Sequence, residues 1–94
     1  MDEPRIGDRI GAILSQDEVV NLLGYGVYLG DEVPPPEVGG FNIGLPNPKL
    51  QLDNGDIVWG CECWWGDEKS VKKSIEGATI NVVSIHDVRR EASA

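Results

Sequence analysis

Cys61, Cys63 and His86 carry the side chains of this sequence that are best suited to metal or thiol chemistry. A structural zinc site takes four ligands, drawn mainly from thiolates and imidazoles. These residues supply at most three, and the single residue between the cysteines differs from the usual C-x₂-C spacing. Cysteines on an apolar strand are more often inert packing residues. We therefore predict no metal and no other cofactor.

The same residues raise the question of catalysis by an activated thiol. A cysteine becomes a nucleophile when a histidine or a helix N-terminus lowers its pKa, and a helix is predicted directly after Gly66. This combination is not specific. The sequence contains no phosphate-binding loop, no dinucleotide fingerprint and no calcium loop. We predict a protein that is not an enzyme, and we keep a zinc- or thiol-dependent enzyme as an alternative.

Aromatic residues near glycine, together with nearby carboxylates, are the other candidates for function. Tyrosine and tryptophan offer large rigid surfaces that anchor interfaces and stack on flat ligands. Acidic residues beside glycine are also typical of turns. The predicted partner- or ligand-binding residues are Tyr25, Tyr28, Asp31, Glu32, Phe41, Glu62 and Trp64.

Charge and length narrow the classes of function. The chain has 94 residues, 16 of them acidic and 8 basic, for a net charge of −8. A chain of this length forms one domain, here residues 1–94. The negative charge repels phosphates, which argues against direct binding of nucleic acid. No segment has the length of a membrane span or the pattern of a signal peptide, so we expect a cytoplasmic protein that does not bind membranes.

A hairpin is the strongest local signal and predicts the side-chain pattern around the cysteines. Asn54-Gly55 is typical of a two-residue type I′ turn. The resulting register places Leu50, Leu52, Ile57 and Trp59 on one apolar face. Alternation continued past Trp59 turns Cys61, Cys63 and Trp65 toward the core, and leaves Glu62 and Trp64 on the outside.

The remaining elements are predicted from hydrophobic period and from turn residues. Strands are expected at residues 10–14 and 19–29, a long Pro/Gly loop at 30–48, a short helix at 67–77, a last strand at 78–88 and a flexible tail at 89–94. The predicted class is mainly β, a small SH3-like five-stranded antiparallel barrel with one short helix before the last strand. The alternative is an α+β open antiparallel sheet with one helix.

Three segments carry a resemblance to a known family. GYGVYLGDEVP (24–34), NPKLQLDNG (47–55) and VWGCECWWG (58–66) resemble small uncharacterised proteins of bacteria and their phages. The resemblance extends over residues 10–85. No activity is assigned to that family, so it implies no site residues. It implies an origin in a phage or mobile element, where small acidic proteins often bind host factors or sequester small signals.

Taken together, these features predict a non-catalytic binding module. It would dock a protein partner through the aromatic surface around Trp64 and the 30–48 loop. The alternative is an oligomer that sequesters a small molecule such as a nucleotide. In that alternative, Tyr25, Tyr28 or Trp64 stacks on the base, and the phosphate is met by Arg9, Lys69, Lys72 or Arg89.

Overall fold

The computed structural model describes residues 3–36, 38 and 44–92. Within them lie six strands, a 3-10 turn and two helices. The strands are β1 Arg9–Gln16, β2 Val19–Glu32, β3 Asn47–Leu52, β4 Ile57–Trp59, β5 Trp64–Asp67 and β6 Thr79–Val82, and the 3-10 turn is Gly60–Glu62. The helices are α1 Glu68–Ser74 and α2 Ile85–Ala92.

The strands form one sheet in the order β4-β3-β2-β1-β5, with β6 paired to β2 beside this path. Every pair is antiparallel except β2 with β6, which is parallel. The sheet does not close, because β4 and β5 lie at its two ends without pairing to each other. The predicted mainly β class is confirmed, with one more strand and one more helix than expected.

The long strand β2 divides the sheet into two parts. One edge of β2 pairs with β1 along residues 20–27, and the other edge pairs with β6 along 19–22 and with β3 along 26–32. Gly26 lies so close to β3 that a Cβ atom there would meet the Gln51 carbonyl oxygen, so only glycine fits.

The ends of the sheet, β4 and β5, are joined by residues 60–63 alone. In a flat sheet, β4 and β5 would lie roughly 19 Å apart. Residues 60–63, which include the 3-10 turn, are too short to span that distance. The sheet therefore curls.

Each face of the sheet carries its own apolar cluster under one helix. On the α2 face the buried residues are Ile10, Ala12, Leu23, Tyr28, Leu50, Leu52, Val58 and Ile85. On the α1 face they are Ile13, Val20, Leu22, Val71 and Ile75. Neighbours such as Ala12 and Ile13 belong to opposite faces, as strand alternation requires.

The hairpin between β3 and β4 differs from the predicted type I′ turn. Gly55 has a φ of +93°, whereas no described residue other than glycine has a positive φ, so Asn54 does not adopt the conformation that type I′ requires. The Gly55 amide donates to the Leu52 carbonyl at 2.9 Å, and the Leu52 amide donates to the Asp56 carbonyl at 2.8 Å. The loop therefore has three residues, with glycine in the left-handed position.

The extra loop residue shifts the register by one. Leu50 is opposite Val58 rather than Trp59, so the predicted placement of Ile57 and Trp59 with Leu50 is wrong. A one-residue shift moves every side chain of a strand to the other face. Val58 takes the core position and is fully buried. Trp59 lies on the opposite face, where the ammonium of Lys49 is 5.8 Å from its ring centre.

The C-terminal segment is also different from the prediction. The expected strand at 78–88 ends at Val82, and a helix follows at Ile85–Ala92. The Ser84 hydroxyl accepts from the His86 amide at 3.2 Å, which is typical of a helix start. Residues 89–92, expected in a tail, belong to this helix. Among the described residues, no helix has the length and apolar character that crossing a bilayer requires.

The helix predicted at 67–77 is confirmed as α1. Its N-cap is Asp67, whose carboxylate accepts from the Ser70 amide at 3.1 Å. Val71 and Ile75, one turn apart, are both buried against the sheet. The helix itself has only 7 residues, so it covers a narrow strip of the α1 face.

Candidate functional site

Trp64 is the most exposed large apolar side chain among the described residues, with 79% of its surface accessible. Its exposure agrees with the prediction, but the cause differs. The 3-10 turn at Gly60–Glu62 interrupts the strand, so alternation does not run on from Trp59. The orientation is set instead by pairing with β1, where Trp64 is opposite Ile13 and Trp65 is opposite Ala12. Trp64 thus lies on the α1 face and Trp65 points to the α2 face.

An open groove of about 810 Å³ lies beside Trp64. It is bounded by the end of β1, by β5 and by α1, and we call it the Trp64 groove. Its lining residues are Ile13, Gln16, Asp17, Trp64, Trp65, Gly66, Ser70, Val71 and Ser74. The lining thus combines indole and aliphatic side chains with hydroxyl groups and a single carboxylate. Such a combination suits an apolar anchor with a few polar contacts.

The edge of the sheet adjoins the Trp64 groove. Strand β5 pairs with β1 on one side and is the last strand of the sheet order, so no further strand of the described chain pairs with it. Edge strands are sites at which another chain adds main-chain hydrogen bonds. The groove and this edge adjoin, because Trp64, Trp65 and Gly66 of the edge strand line the groove.

Tyr28 belongs to the core, so its predicted availability to a partner is wrong. Only 8% of its surface is exposed, and its ring is stacked on Trp65 with the ring centres 5.7 Å apart. Its hydroxyl donates to the Asp31 carboxylate at 2.6 Å. This hydrogen bond, and then burial, raise the pKa of the Tyr28 phenol. Asp31 itself is exposed, but one of its oxygens is held by this contact.

Glu62 was predicted to face a partner, and that placement is wrong as well. Its side chain is only 10% exposed and pairs with Arg89, whose Nη2 donates to Oε1 at 2.8 Å. A second hydrogen bond runs from the Arg89 Nε to Oε2 at 2.9 Å. The same carboxylate accepts from the Trp59 amide at 3.2 Å. Glu62 therefore links the 3-10 turn to α2 through its ion pair with Arg89.

The other predicted residues that the structure describes do not line the Trp64 groove. Tyr25 is half-buried on the α1 face, where the Lys72 ammonium lies 5.0 Å from its ring centre. Glu32 is exposed and pairs with Lys49 at 3.2 Å. Phe41 lies outside the described residues. Of the predicted residues with a described structure, only Trp64 lines this groove.

The 30–48 loop lies at the other end of the sheet. Its described residues Val33, Pro35 and Val38 line a second hollow of about 440 Å³ together with Trp59. This hollow shares no lining residue with the Trp64 groove. The loop and Trp64 therefore do not form a joint surface within the described part of the chain.

The surroundings of the two cysteines raise the pKa of their thiols, whereas a nucleophilic cysteine needs a lowered pKa. Both are free thiols. Burial, and secondly the nearby Glu62 carboxylate, raise the pKa of Cys63 to about 12 and raise that of Cys61. The Cys63 thiol donates to the Trp59 carbonyl at 3.5 Å, and His86 is paired with Asp56 at 3.0 Å. Within the described residues, no three histidine, cysteine or acidic side chains gather where they could hold a metal ion.

Sequence reasoning missed most of the groove. Ser70 and Ser74 lie on the predicted helix, one turn apart on the side that faces β5, and this spacing is the one signal that could have indicated a polar rim. Ile13 and Val71 were expected only as core residues. Their role in the lining depends on where α1 packs, and no local sequence pattern predicts that position.

No family model, curated protein or solved structure matches the chain. The resemblance to the bacterial and phage proteins therefore stays a prediction.

Proposed function

We propose that the protein is a non-catalytic binding module that docks a protein partner in the Trp64 groove. The observation that carries the proposal is the 79% exposure of Trp64 beside a groove lined by both apolar and polar residues. Leaving an indole in water forgoes the stabilisation that its burial provides. Tryptophans at the centre of interfaces often contribute about 2 kcal/mol or more to binding. An exposed tryptophan beside a ready-made groove is therefore well suited to be the anchor of an interface.

The charge of the protein suggests the chemistry of the partner. Asp17 is the only charged residue among the described ones that line the groove, and the whole chain carries a net charge of −8. Complementary charge speeds encounter and disfavours wrong partners. We therefore propose a partner segment in which an apolar side chain for the groove is flanked by lysine or arginine.

The strand order supports a finer description of the fold. Five strands in the order β4-β3-β2-β1-β5, a long β2 shared by both parts of the sheet and a 3-10 turn before β5 are the features expected of an SH3-like half-open barrel. We propose this architecture, with β6 and α2 as additions to it. A cytoplasmic location and a phage origin stay predictions.

The two alternative functions have less support. Three of the basic residues offered for a phosphate are already paired with carboxylates: Arg9 with Asp53 and Glu68, Lys72 with Glu68, and Arg89 with Glu62. The raised thiol pKa values weigh against a thiol-dependent enzyme. Docking of a protein partner makes use of the exposed groove without requiring either chemistry.

Affinity capture from lysate with matched variants tests the proposal. The baits are the wild type, Trp64→Ala and Ile6→Ala. Ile6 is 73% exposed and does not line the groove, so it controls for loss of a general apolar surface. We expect Trp64→Ala to lose specific partners that both other baits retain. Identical partner lists for all three, with Trp64→Ala still folded by circular dichroism, would sink the proposal.

Once a partner is captured, its affinity gives a quantitative test. Isothermal titration should show Trp64→Ala weakening the complex by about 30-fold or more, the value that corresponds to a contribution of about 2 kcal/mol. Ile6→Ala should bind as the wild type does. A further expectation is that affinity falls as salt concentration rises, because opposite charges attract less strongly when screened.

A further inference from the structure

Strand β6 is the second apolar surface that the α1 face leaves uncovered. All 4 of its residues are exposed, including Val82 at 72% and Ile80 at 39%. It pairs with β2 on one side, and no other strand of the described chain pairs with its outer edge. Soluble proteins usually protect such edges with charged residues or proline. The sequence Thr-Ile-Asn-Val contains neither.

The hydrogen-bonding groups at this edge can be assigned from the contact that follows the strand. The Val83 amide donates to the Leu22 carbonyl of β2 at 2.9 Å. Successive residues of a strand direct their amide and carbonyl groups to opposite edges. Thr79 and Asn81 therefore point these groups toward β2, as Val83 does. Ile80 and Val82 point theirs outward.

The side chains of β6 are sorted between the two faces of the sheet. Ile80 and Val82 are opposite Val20 and Leu22, so they extend the apolar cluster of the α1 face beyond the helix. Asn81 is opposite Asn21 and lies on the other face.

Asn81 is also the last member of a chain of polar contacts that crosses the sheet. The Asn81 amide donates to the Asn21 side-chain oxygen at 3.0 Å, and the Asn21 amide donates to the Ser15 hydroxyl at 2.9 Å. At the edge of the sheet, the Asn81 side chain can still form a hydrogen bond with one more amide side chain.

We propose that β6 pairs with β6 of a second copy of this chain, antiparallel and about a two-fold axis at Asn81. Residues that face each other in an antiparallel pair lie on the same face of the sheet. With Asn81 opposite Asn81 of the second copy, Ile80 is opposite Val82 on both sides of the axis. These are the residues with outward amide and carbonyl groups, so each facing pair exchanges hydrogen bonds.

This register satisfies three requirements at once. The outward backbone groups are paired, the aliphatic side chains of both copies meet on the α1 face, and the asparagine chain is joined across the axis. A two-fold interface needs a surface that is complementary to itself, and β6 has this property. The strand also carries no charge, so the net charge of −8 is not concentrated at the contact.

The contact is small, which determines its strength. With Asn81 on the axis, only Ile80, Asn81 and Val82 of each copy face β6 of the other, and so short a pairing buries far less than the about 1,200 Å² found in most stable complexes. We therefore expect a dimer that forms and dissociates readily, and that is favoured by salt because the two copies repel each other. The dimer would present two Trp64 grooves, which strengthens binding to a partner with two docking segments.

Sedimentation velocity from about 10 µM to about 1 mM tests the association, a range chosen for weak complexes. The wild-type mass should rise from 10.2 kDa toward twice that value with concentration, and more so at higher salt. Val82→Lys places like charges at the edge and should raise the dissociation constant at least about tenfold. Ile6→Lys is the control, because Ile6 is 73% exposed and Val82 is 72% exposed.

Disulfide trapping tests the register. In a chain with Cys61→Ser and Cys63→Ser, Asn81→Cys should oxidise readily to a covalent dimer, because facing residues at a position without backbone hydrogen bonds have Cα atoms about 4.5 Å apart. Thr79→Cys should form little dimer. A monomer at every concentration, equal effects of Val82→Lys and Ile6→Lys, or trapping at Thr79 but not at Asn81 would each overturn the proposal. None of these variants changes the Trp64 groove, so failure here leaves the proposed docking function untouched.

Discussion

The two faces of the sheet are covered to different extents, and the difference separates stability from binding. On the α2 face, the rings of Tyr28 and Trp65 are stacked. The ion pair between Arg89 and Glu62 holds α2 over the apolar cluster of that face. On the α1 face, a helix of 7 residues packs mainly against β1 and β5 and covers only part of the sheet. Apolar side chains are left exposed at Trp64 of β5 and at Val82 of β6. A short helix thus creates the surfaces that a partner or a second copy would cover.

The largest expected effect is on the α2 face. Leu50 is fully buried in that cluster, so Leu50→Ala should lower the free energy of unfolding by about 3 kcal/mol through lost burial and a residual cavity. Urea denaturation followed by circular dichroism measures this loss. Val33→Ala, at a side chain that is 53% exposed, is the control and should cost less than about 0.5 kcal/mol. Equal losses would contradict the assignment of the core to this face.

The next largest effect on stability is expected for the ion pair between Glu62 and Arg89, which holds α2 in place. Glu62→Gln keeps the shape of the side chain but leaves the Arg89 guanidinium without its carboxylate in a largely buried site. We expect a loss of about 2 kcal/mol in unfolding free energy. Asp87→Asn removes an exposed pair with Arg90 instead and should cost less than about 0.5 kcal/mol. If both variants melt at the same temperature, Glu62 does not hold the helix.

A smaller effect is expected from an exposed ionic network between the hairpin and α1. Arg9 donates to Asp53 and to Glu68, each at 2.7 Å. These hydrogen bonds lower the pKa of both carboxyl groups. Lowered values in the folded state mean that the stabilisation is complete above the ordinary carboxyl pKa values of about 4 and is lost as the pH falls through the folded ones.

Replacing the guanidinium tests this network. Arg9→Met should have a melting temperature that depends less on pH below about 4.5 than that of the wild type, and at neutral pH it should be the less stable of the two. Arg90→Met removes an exposed charge elsewhere and should keep the wild-type pH dependence. Parallel melting curves against pH for Arg9→Met and the wild type would rule out a role of this network in acid stability.

The smallest expected effect on stability is at the proposed binding site. Trp64→Ala should change the free energy of unfolding by less than about 0.5 kcal/mol, because the indole is mostly in water. It should also remove the largest part of the tryptophan fluorescence that acrylamide quenches, since Trp59 is 5% exposed and Trp65 is only partly exposed. A loss of several kcal/mol would mean that Trp64 is a structural residue and would contradict the division between the two faces.

Part of this structure was predictable because the signals are local. Asp67 as an N-cap, with Val71 and Ile75 one turn apart, defines α1 within a few residues of chain. The acidic composition and the alternating apolar residues indicated a small, mainly β protein. The exposure of Trp64 was predicted correctly, although the strand alternation that suggested it stops at the 3-10 turn.

Other features depend on choices that a local pattern leaves open. Asn54-Gly55 is compatible with a two-residue turn and with a three-residue loop that ends in glycine. Packing of Val58 against Leu50 decides between them, and the same choice moves Trp59 to the other face. Similarly, the apolar residues of segment 78–88 fit a strand about as well as a helix, until Ile85 is buried under the sheet.

By itself, the sequence determined the mainly β class and the position of α1. Only the tertiary structure decided which aromatic side chains stay exposed. Tyr28 and Trp65 are stacked on the α2 face because strands distant in sequence bring them together. Trp64 is opposite Ile13 on the α1 face, where α1 packs against Ile13 but leaves the indole exposed. The physical reason is that exposure depends on which elements cover a strand, and that coverage is set by long-range packing rather than by neighbouring residues.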